Sequence, residues 1–347
     1  MRICFVGEYS GPLDEGMKNV MYHLTREVSH HHETIRLSQT DAEFPFSRDR
    51  RITFLSFRLS EQAKRFRPDI VHYFPWSGLT DWSLVRAKTI AARAGNAKLI
   101  VSCLQRPQLG FFAKSMLSAL RPNIILVQSQ KTALILNRLG IRTTFLPNGV
   151  DTGRFSPVSK LTKQRLRKLY GVDDRFVFLH VGHIMERRGI RSLANAVGPN
   201  TAVILVASTS TRPDQRLMAY LVKRGVQVWR RYFENPQDLY NMVDCYLFPV
   251  RNDIASIDLP LSVLEAMSCN LPVITTRFGG LDEVFDEGEG LFFLDDDTCL
   301  KENLRIIRDG LVHIETRKKV MSLSWEKIGH ALDRIYDQIA LEDSSTA

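Results

Sequence analysis

The run His180–Gly189, HVGHIMERRG, puts two glycines, a histidine and two arginines where an apolar stretch gives way to a helix-like segment. Glycine lets the backbone approach a ligand closely, and the N–H groups at a helix start favour anions. His183, Arg187 and Arg188 add cationic donors around Gly182, so the chemistry on offer is phosphate binding. The plain alternative is a tight strand-to-helix turn with solvated arginines. A second element of the same kind is SIDLPLSVLEAMSCNLPVITT, residues 256–276. Pro260 suits the first turn of a helix carrying Leu261, Val263, Leu264 and Met267, and Glu265 lies one turn in. A carboxylate there can accept hydrogen bonds from a ribose diol, as an acidic residue does in dinucleotide folds. The alternative, a solvated helix residue, sits less well with its apolar neighbours Leu264, Ala266 and Met267.

Other groups are explained without chemistry. His30–His32 are consecutive, so they do not converge on one metal ion without distortion, and a polar loop is expected. Asp295–Asp297 precede a helical pattern, where N-capping and the helix dipole account for them. His72 closes a strand at an expected ligand edge, and an acceptor role and a structural role stand level. No GxSxG, HExxH or P-loop pattern occurs. The five cysteines lack CxxC spacing and read as buried thiols in a reduced, cytosolic chain.

These residues need a scaffold, and the pattern names one. Apolar runs at Ile3–Val6, Ile70–Phe74, Leu99–Leu104, Ile124–Val127 and Thr144–Leu146 alternate with amphipathic helical segments. The alternation restarts after Asn148–Gly149, with strands expected at Phe176–Val181, Ala202–Val206, Val226–Trp229, Cys245–Phe248, Pro272–Thr275 and Gly290–Phe293. Repeated βα units imply an α/β protein with parallel sheets covered on both faces. The restart implies two sheets in tandem with a ligand cleft between them, and 347 residues fit about two domains. Helices expected near 298–311, 313–322 and 324–341 have no strand after them. A hydrophobic content of 44% excludes disordered and collagen-like classes, and no apolar run is long enough to cross a membrane. The net charge of +9 lies in the first half: residues 1–150 hold 21 Lys and Arg against 11 Asp and Glu, whereas 151–347 hold 26 against 27. Such asymmetry points to an anionic partner.

Five segments in this order resemble family 4 glycosyltransferases of GT-B architecture: LPNGVDTGRF, HVGHIMERRG, DLYNMVDCYLFP, LPLSVLEAMSCNLPVITTRFGGLDEV and SWEKIGHALDRIY. The resemblance implies two Rossmann-like domains facing each other across a cleft. Residues 1–153, joined by a crossing C-terminal helix at about 324–347, would take the acceptor, and residues 154–323 the nucleotide sugar. Arg188 matches the cationic residue that ends the family's G-R-x4-K-G pattern and would hold the donor diphosphate, with Gly182 before it. His183 stands where the family has arginine. Glu265 matches the second glutamate of E-x7-E, the ribose ligand, while the first falls on Ile257, and Asp258 is the nearest carboxylate. Backbone N–H groups at Leu261 and Ser262 would face the phosphates. On the acceptor side Gly16 remains from a paired-glycine loop, and Gln105 stands near the position where the family often has histidine.

The function implied is transfer of a hexosyl unit from a nucleotide-diphosphate sugar to a glycan or lipid-linked acceptor, with retention of configuration. No metal or other cofactor is expected. The alternatives are a non-catalytic GT-B scaffold subunit, which Ile257 and Gln105 favour, and a sugar-nucleotide epimerase. The stretch 50–67 combines Arg51, Arg58 and Arg65 with Phe54 and Phe57 and suits contact with an anionic membrane, against a core-packed helix with a basic face. Localisation is expected in the cytoplasm, at the inner face of the membrane if that contact is made. Nucleic acid is not an expected partner, since the basic surplus comes without an interleaved aromatic strand motif.

Overall fold

The structure, a computed structural model, describes residues 1–8, 13, 15–38, 57–76, 78–95, 97–110, 117–295 and 298–342. The chain divides into two compact units, Met1–Asn148 with Trp325–Ala347 and Gly149–Ser324.

The first unit holds β1 (Arg2–Val6), β2 (Glu33–Leu37), β3 (Ile70–Tyr73), β4 (Lys98–Cys103), β5 (Ile124–Val127) and β6 (Thr143–Phe145) in one parallel sheet of order β2-β1-β3-β4-β5-β6. β1, β3, β4 and β5 are buried almost throughout, as strands covered on both faces must be. β2 escapes the sequence reading because it is an edge strand: in ETIRL Glu33 and Arg36 are exposed, only Leu37 is buried, and no apolar run appears. Its register sets Arg2 beside Glu33, and the two side chains pair at 3.2 Å.

The C-terminal helix, Trp325–Leu341, completes this unit. It lies on the helix Gly16–Val28 where Gly329 meets Glu27; a Cβ added at Gly329 would stand 2.7 Å from the Glu27 Cβ. Trp325 stacks on His23, with ring centroids 4.8 Å apart. Deeper in, the fully buried His72 of β3 is bracketed by the Tyr336 hydroxyl at 2.6 Å and the Ser102 hydroxyl at 2.8 Å. Burial pushes its pKa down to about 3, so the ring is neutral at ordinary pH. Both ring nitrogens are engaged and none of the ring reaches solvent. The acceptor-side expectation for His72 is therefore corrected to a structural one, a polar pin joining β3, β4 and the last helix.

Over 50–67 the described helix is Phe57–Phe66. Leu59 and Ala63 enter the core, and the Arg2 guanidinium lies 4.6 Å from the centre of the Phe66 ring. The described part thus fits the core-packed alternative. Arg51, Phe54 and the side chains of Phe57 and Arg58 lie outside the described residues.

The second unit contains β7 (Phe176–Gly182), β8 (Thr201–Ala207), β9 (Gln227–Trp229), β10 (Cys245–Phe248), β11 (Val273–Thr275) and β12 (Leu291–Phe293). They form a parallel sheet of order β12-β11-β10-β7-β8-β9. Asp244 locks its lower end: it accepts from Val177 N at 2.8 Å and pairs with Lys163 at 2.7 Å and with Arg167, both on the helix Lys160–Tyr170. The boundary falls at 148/149 rather than 153/154 because the intervening segment is tied to the far end of the same unit. Val150 N donates to Leu323 O, and Arg317 donates to the carbonyls of Thr152 and Phe155.

The described cysteine side chains Cys4, Cys103, Cys245 and Cys269 are buried free thiols. Among the described residues no helix is long and apolar enough to cross a membrane. Tyr336→Phe orphans one nitrogen of His72, so it should lower stability by about 1–3 kcal/mol in urea unfolding followed by circular dichroism. An unchanged midpoint would show that the hydroxyl is not a working partner.

Candidate functional site

Counted from β7, the sheet of the second unit runs in the order 3-2-1-4-5-6, which reverses direction between β7 and β10. In open parallel sheets ligands bind beyond the carboxyl ends of the strands at that reversal. Gly182 ends β7 and Phe248 ends β10, and the residues with candidate chemistry gather around these two ends.

Arg188 lies in a short 3-10 turn, Glu186–Arg188, closed by Gly189 at φ 67°. A Cβ at Gly189 would stand 3.0 Å from the Pro249 carbonyl just past β10, so the left-handed turn and the close approach both call for glycine. The turn folds Arg188 back across the end of β7. A Cβ at Gly182 would come within 2.7 Å of Arg188 Nη2, so glycine there makes room for the guanidinium. The side chain is only 5% exposed, although Arg187 beside it faces solvent. Its Nη1 donates to Ala255 O at 3.0 Å, its Cζ lies 5.9 Å from the Phe248 ring centre, and its buried Nε has no hydrogen-bond partner among the described residues. Among the described residues it makes no ion pair. Burial pulls its pKa down to about 10, leaving the group charged at neutral pH. A buried cation without a counter-charge is costly, and a bound anion would remove that cost.

Tyr246, on β10, connects this cation to the next element. Its hydroxyl lies within 3.5 Å of both the N–H and the carbonyl of Val181, bonds the Ser262 side chain, and feels the charges of Arg188 and Glu265. Ser262 is in the first turn of the helix Leu261–Ser268, which starts at Pro260 with no side-chain cap, so the N–H groups of Leu261 and Ser262 take no capping side chain. One turn on, the half-buried Glu265 accepts from the Tyr240 hydroxyl at 2.5 Å. Burial raises its carboxyl to about 7, against the lowering effect of Tyr240 and of the Arg154 charge. The Tyr240 and Tyr246 rings meet with centroids 5.8 Å apart, so Ser262 and Glu265 are bonded to neighbouring tyrosines.

His183 sits at the rim, with Nδ1 2.6 Å from the Thr211 hydroxyl. Asp258 is 2% exposed, and its carbonyl accepts from Gly280 N at 2.9 Å. At Gly279, φ 59°, any Cβ would fall 2.1 Å from that carbonyl, so the Gly279–Gly280 pair clamps the loop that carries Ile257 and Asp258. Tyr240, Tyr246, Ala255 and this glycine clamp were not singled out from the sequence. For Tyr246 a signal existed, since the two-residue period of CYLF puts Tyr246 and Phe248 on one face.

In the first unit Gly16 opens the helix Gly16–Val28, and Gln105 follows β4, buried beside Gly78. The structure does not bring Gln105 and His72 into one polar cluster, because His72 is consumed by its own brackets. Asp295 contacts Arg277 at 3.4 Å, while Asp296 and Asp297 lie outside the described residues.

Residues 175–309, the segment that carries Arg188, Tyr246 and Glu265, match the family model of glycosyl transferases group 1. That segment is similar to the group 1 glycosyltransferases. Among curated proteins the chain is 27% identical over 226 residues to the GDP-mannose-dependent alpha-(1-6)-phosphatidylinositol monomannoside mannosyltransferase of Mycolicibacterium smegmatis, covering 60% of this chain and 52% of that protein. It is 25% identical over 222 residues to the D-inositol 3-phosphate glycosyltransferase of Corynebacterium jeikeium, covering 56% and 51%. The chain thus spans about half the length of these relatives. Among solved glycosyltransferase structures, sucrose-phosphate synthase from Thermosynechococcus elongatus matches with a TM-score of 0.78 at 17% identity over 97% of this chain and 98% of that one. HepE from Anabaena in complex with UDP matches with a TM-score of 0.72 at 16% identity over 97% and 100%. The two six-stranded parallel sheets are those of the GT-B fold.

Removing the Tyr240 hydroxyl removes a donor to ionised Glu265. In Tyr240→Phe the Glu265 carboxyl should titrate higher by about one pH unit, read by carbon-13 NMR of labelled glutamate. A fall, or no change, would mean that the tyrosine does not hold the carboxylate.

Proposed function

We propose that this chain transfers a hexosyl unit from a nucleotide-diphosphate sugar to a glycan or lipid-linked acceptor, with retention of anomeric configuration. The observation that carries the reading is Arg188: a buried, charged guanidinium with an unpartnered Nε and no acidic partner among the described residues. A diphosphate supplies the missing negative charge, with Gly182 leaving space and His183 at the rim. The N–H groups of Leu261 and Ser262 add the positive end of a helix. Glu265, one turn along, takes the ribose hydroxyls. Relatives named for GDP-mannose and for phosphatidylinositol mannoside acceptors support a nucleotide-sugar donor and a lipid-linked or inositol-bearing acceptor.

In this mechanism the glycosidic bond breaks as negative charge grows on the leaving diphosphate. Arg188 and the helix N-terminus are in place beforehand and stabilise that charge more in the transition state than in the bound donor. The leaving phosphate oxygen takes the acceptor proton, so none of the protein's side chains has to act as the base, consistent with Gln105, which does not carry a proton, standing near the position where the family often has histidine. Asp258 contributes through the loop it anchors. No metal enters the scheme.

The scaffold reading draws on Ile257, a buried apolar residue where the family resemblance leads one to expect a sugar-binding glutamate. Calorimetric titration with UDP, GDP and ADP separates the two. Transfer predicts that one nucleotide binds and that Arg188→Ala weakens it at least tenfold and removes turnover; wild-type turnover in that variant, or no binding by the native chain, overturns the assignment. Affinity carries a pH signature as well. If ionised Glu265 takes the ribose, binding tightens as pH rises through about 7, and the component due to this group disappears in Glu265→Gln. Parallel pH curves for the two proteins would exclude Glu265 from the ribose.

A further inference from the structure

The consecutive histidines 30–32 do not converge by themselves, but the fold brings them a partner from the other end of the chain. His31 lies in the turn that follows the helix Gly16–Val28, and its N–H donates to Val28 O at 3.1 Å. Across from it His330 and Asp333 project from the C-terminal helix three residues apart, hence on one face. One ligand atom of each of these three residues lies within 4.8 Å of the other two, and the rings of His31 and His330 stand 5.6 Å apart. Behind the carboxylate, His32 Nε2 faces Asp333 Oδ1 at 3.3 Å. Both of these atoms are buried and neither makes a hydrogen bond among the described residues. The His32 ring is held edge-on by Tyr336.

We propose that His31, His330 and Asp333 form a binding site for a zinc-type divalent transition metal, with His32 orienting the Asp333 carboxylate. Two imidazoles and one carboxylate are a ligand set that zinc accepts, with water in the fourth place, and that magnesium and calcium, which take all-oxygen shells, do not. Zinc–ligand bonds of about 2.0–2.1 Å set tetrahedral neighbours about 3.3 Å apart. The ligand atoms already lie within 4.8 Å of one another, and the two imidazoles are exposed. The backbones that carry the ligands are already fixed. The turn is hydrogen-bonded to the end of its helix, and the C-terminal helix is anchored by buried Trp325, Leu332 and Tyr336. A histidine bound to metal is commonly braced by a second polar group, and here the braced ligand is the carboxylate. The ion joins the turn before β2 to the last helix. It belongs to the first unit, whereas the groups proposed to bind the donor belong to the second. Its role is to fasten the C-terminal helix.

The test uses the full chain without a histidine tag, stripped with chelator and titrated calorimetrically with zinc chloride and with magnesium chloride. One zinc site is expected, at least tenfold weaker in His330→Ala and lost in the double variant His31→Ala with Asp333→Asn. The variant His313→Ala, an exposed histidine paired with Glu315, should bind as the native chain does. Zinc should raise the thermal unfolding midpoint of the native chain and leave that of the double variant where it was. Equal zinc binding by the native chain and the double variant, absence of zinc binding by the native chain, or magnesium binding of matching strength would each overturn the site.

Discussion

The second unit is organised around one electrostatic constraint, a guanidinium taken out of water with no carboxylate to meet it. Arginine holds its proton even at the lowered pKa that burial gives Arg188, so the charge is not shed as a buried lysine or histidine sheds it. Everything beside it serves either to admit the group or to leave a place for its counter-charge. Gly182 has no side chain to block it, Gly189 turns the chain so that it enters, Ala255 accepts one N–H, and Phe248 offers a ring face. Two polar pairs follow, Tyr246 with Ser262 and Tyr240 with Glu265, and the Tyr240 and Tyr246 rings meet with centroids 5.8 Å apart.

The buried strands were legible in the sequence because burial on both faces leaves a continuous apolar signature, as in FVFLHV and AVILV. The edge strand Glu33–Leu37 left none, since one flank of an edge strand meets solvent and its residues need not be apolar. Of the site, the glycines, Arg188 and Glu265 were legible from residue type and spacing. Tyr240 and Tyr246 were not, because a tyrosine in an apolar run reads as core, and only the placement of its hydroxyl reveals the second role. Arg187 and Arg188 looked equivalent in sequence; the turn Glu186–Arg188 buries one and exposes the other. His72 illustrates the converse. Its position at a strand end suggested a ligand contact, but a histidine with both nitrogens engaged inside a core behaves as a hydrogen-bonding spacer.

The loop bearing Ile257 and Asp258 shows how the departure from the family pattern is accommodated. It is held by its backbone, through Gly279 and Gly280, rather than by the side chain at position 257. The Asp258 carbonyl is thus fixed by a backbone contact that does not involve the side chain at 257.

The pairing of His72 with Tyr336 spans 264 residues of chain. A ribosome adding about 5–20 residues per second takes on the order of 10–50 s to pass from one to the other. During that interval the whole second unit, which is continuous in sequence, can be made and folded, while the sheet of the first unit waits with an unmet polar group and an uncovered apolar flank. The unit that begins the chain is thus the last to be finished, and its growing form is the one that a chaperone would meet.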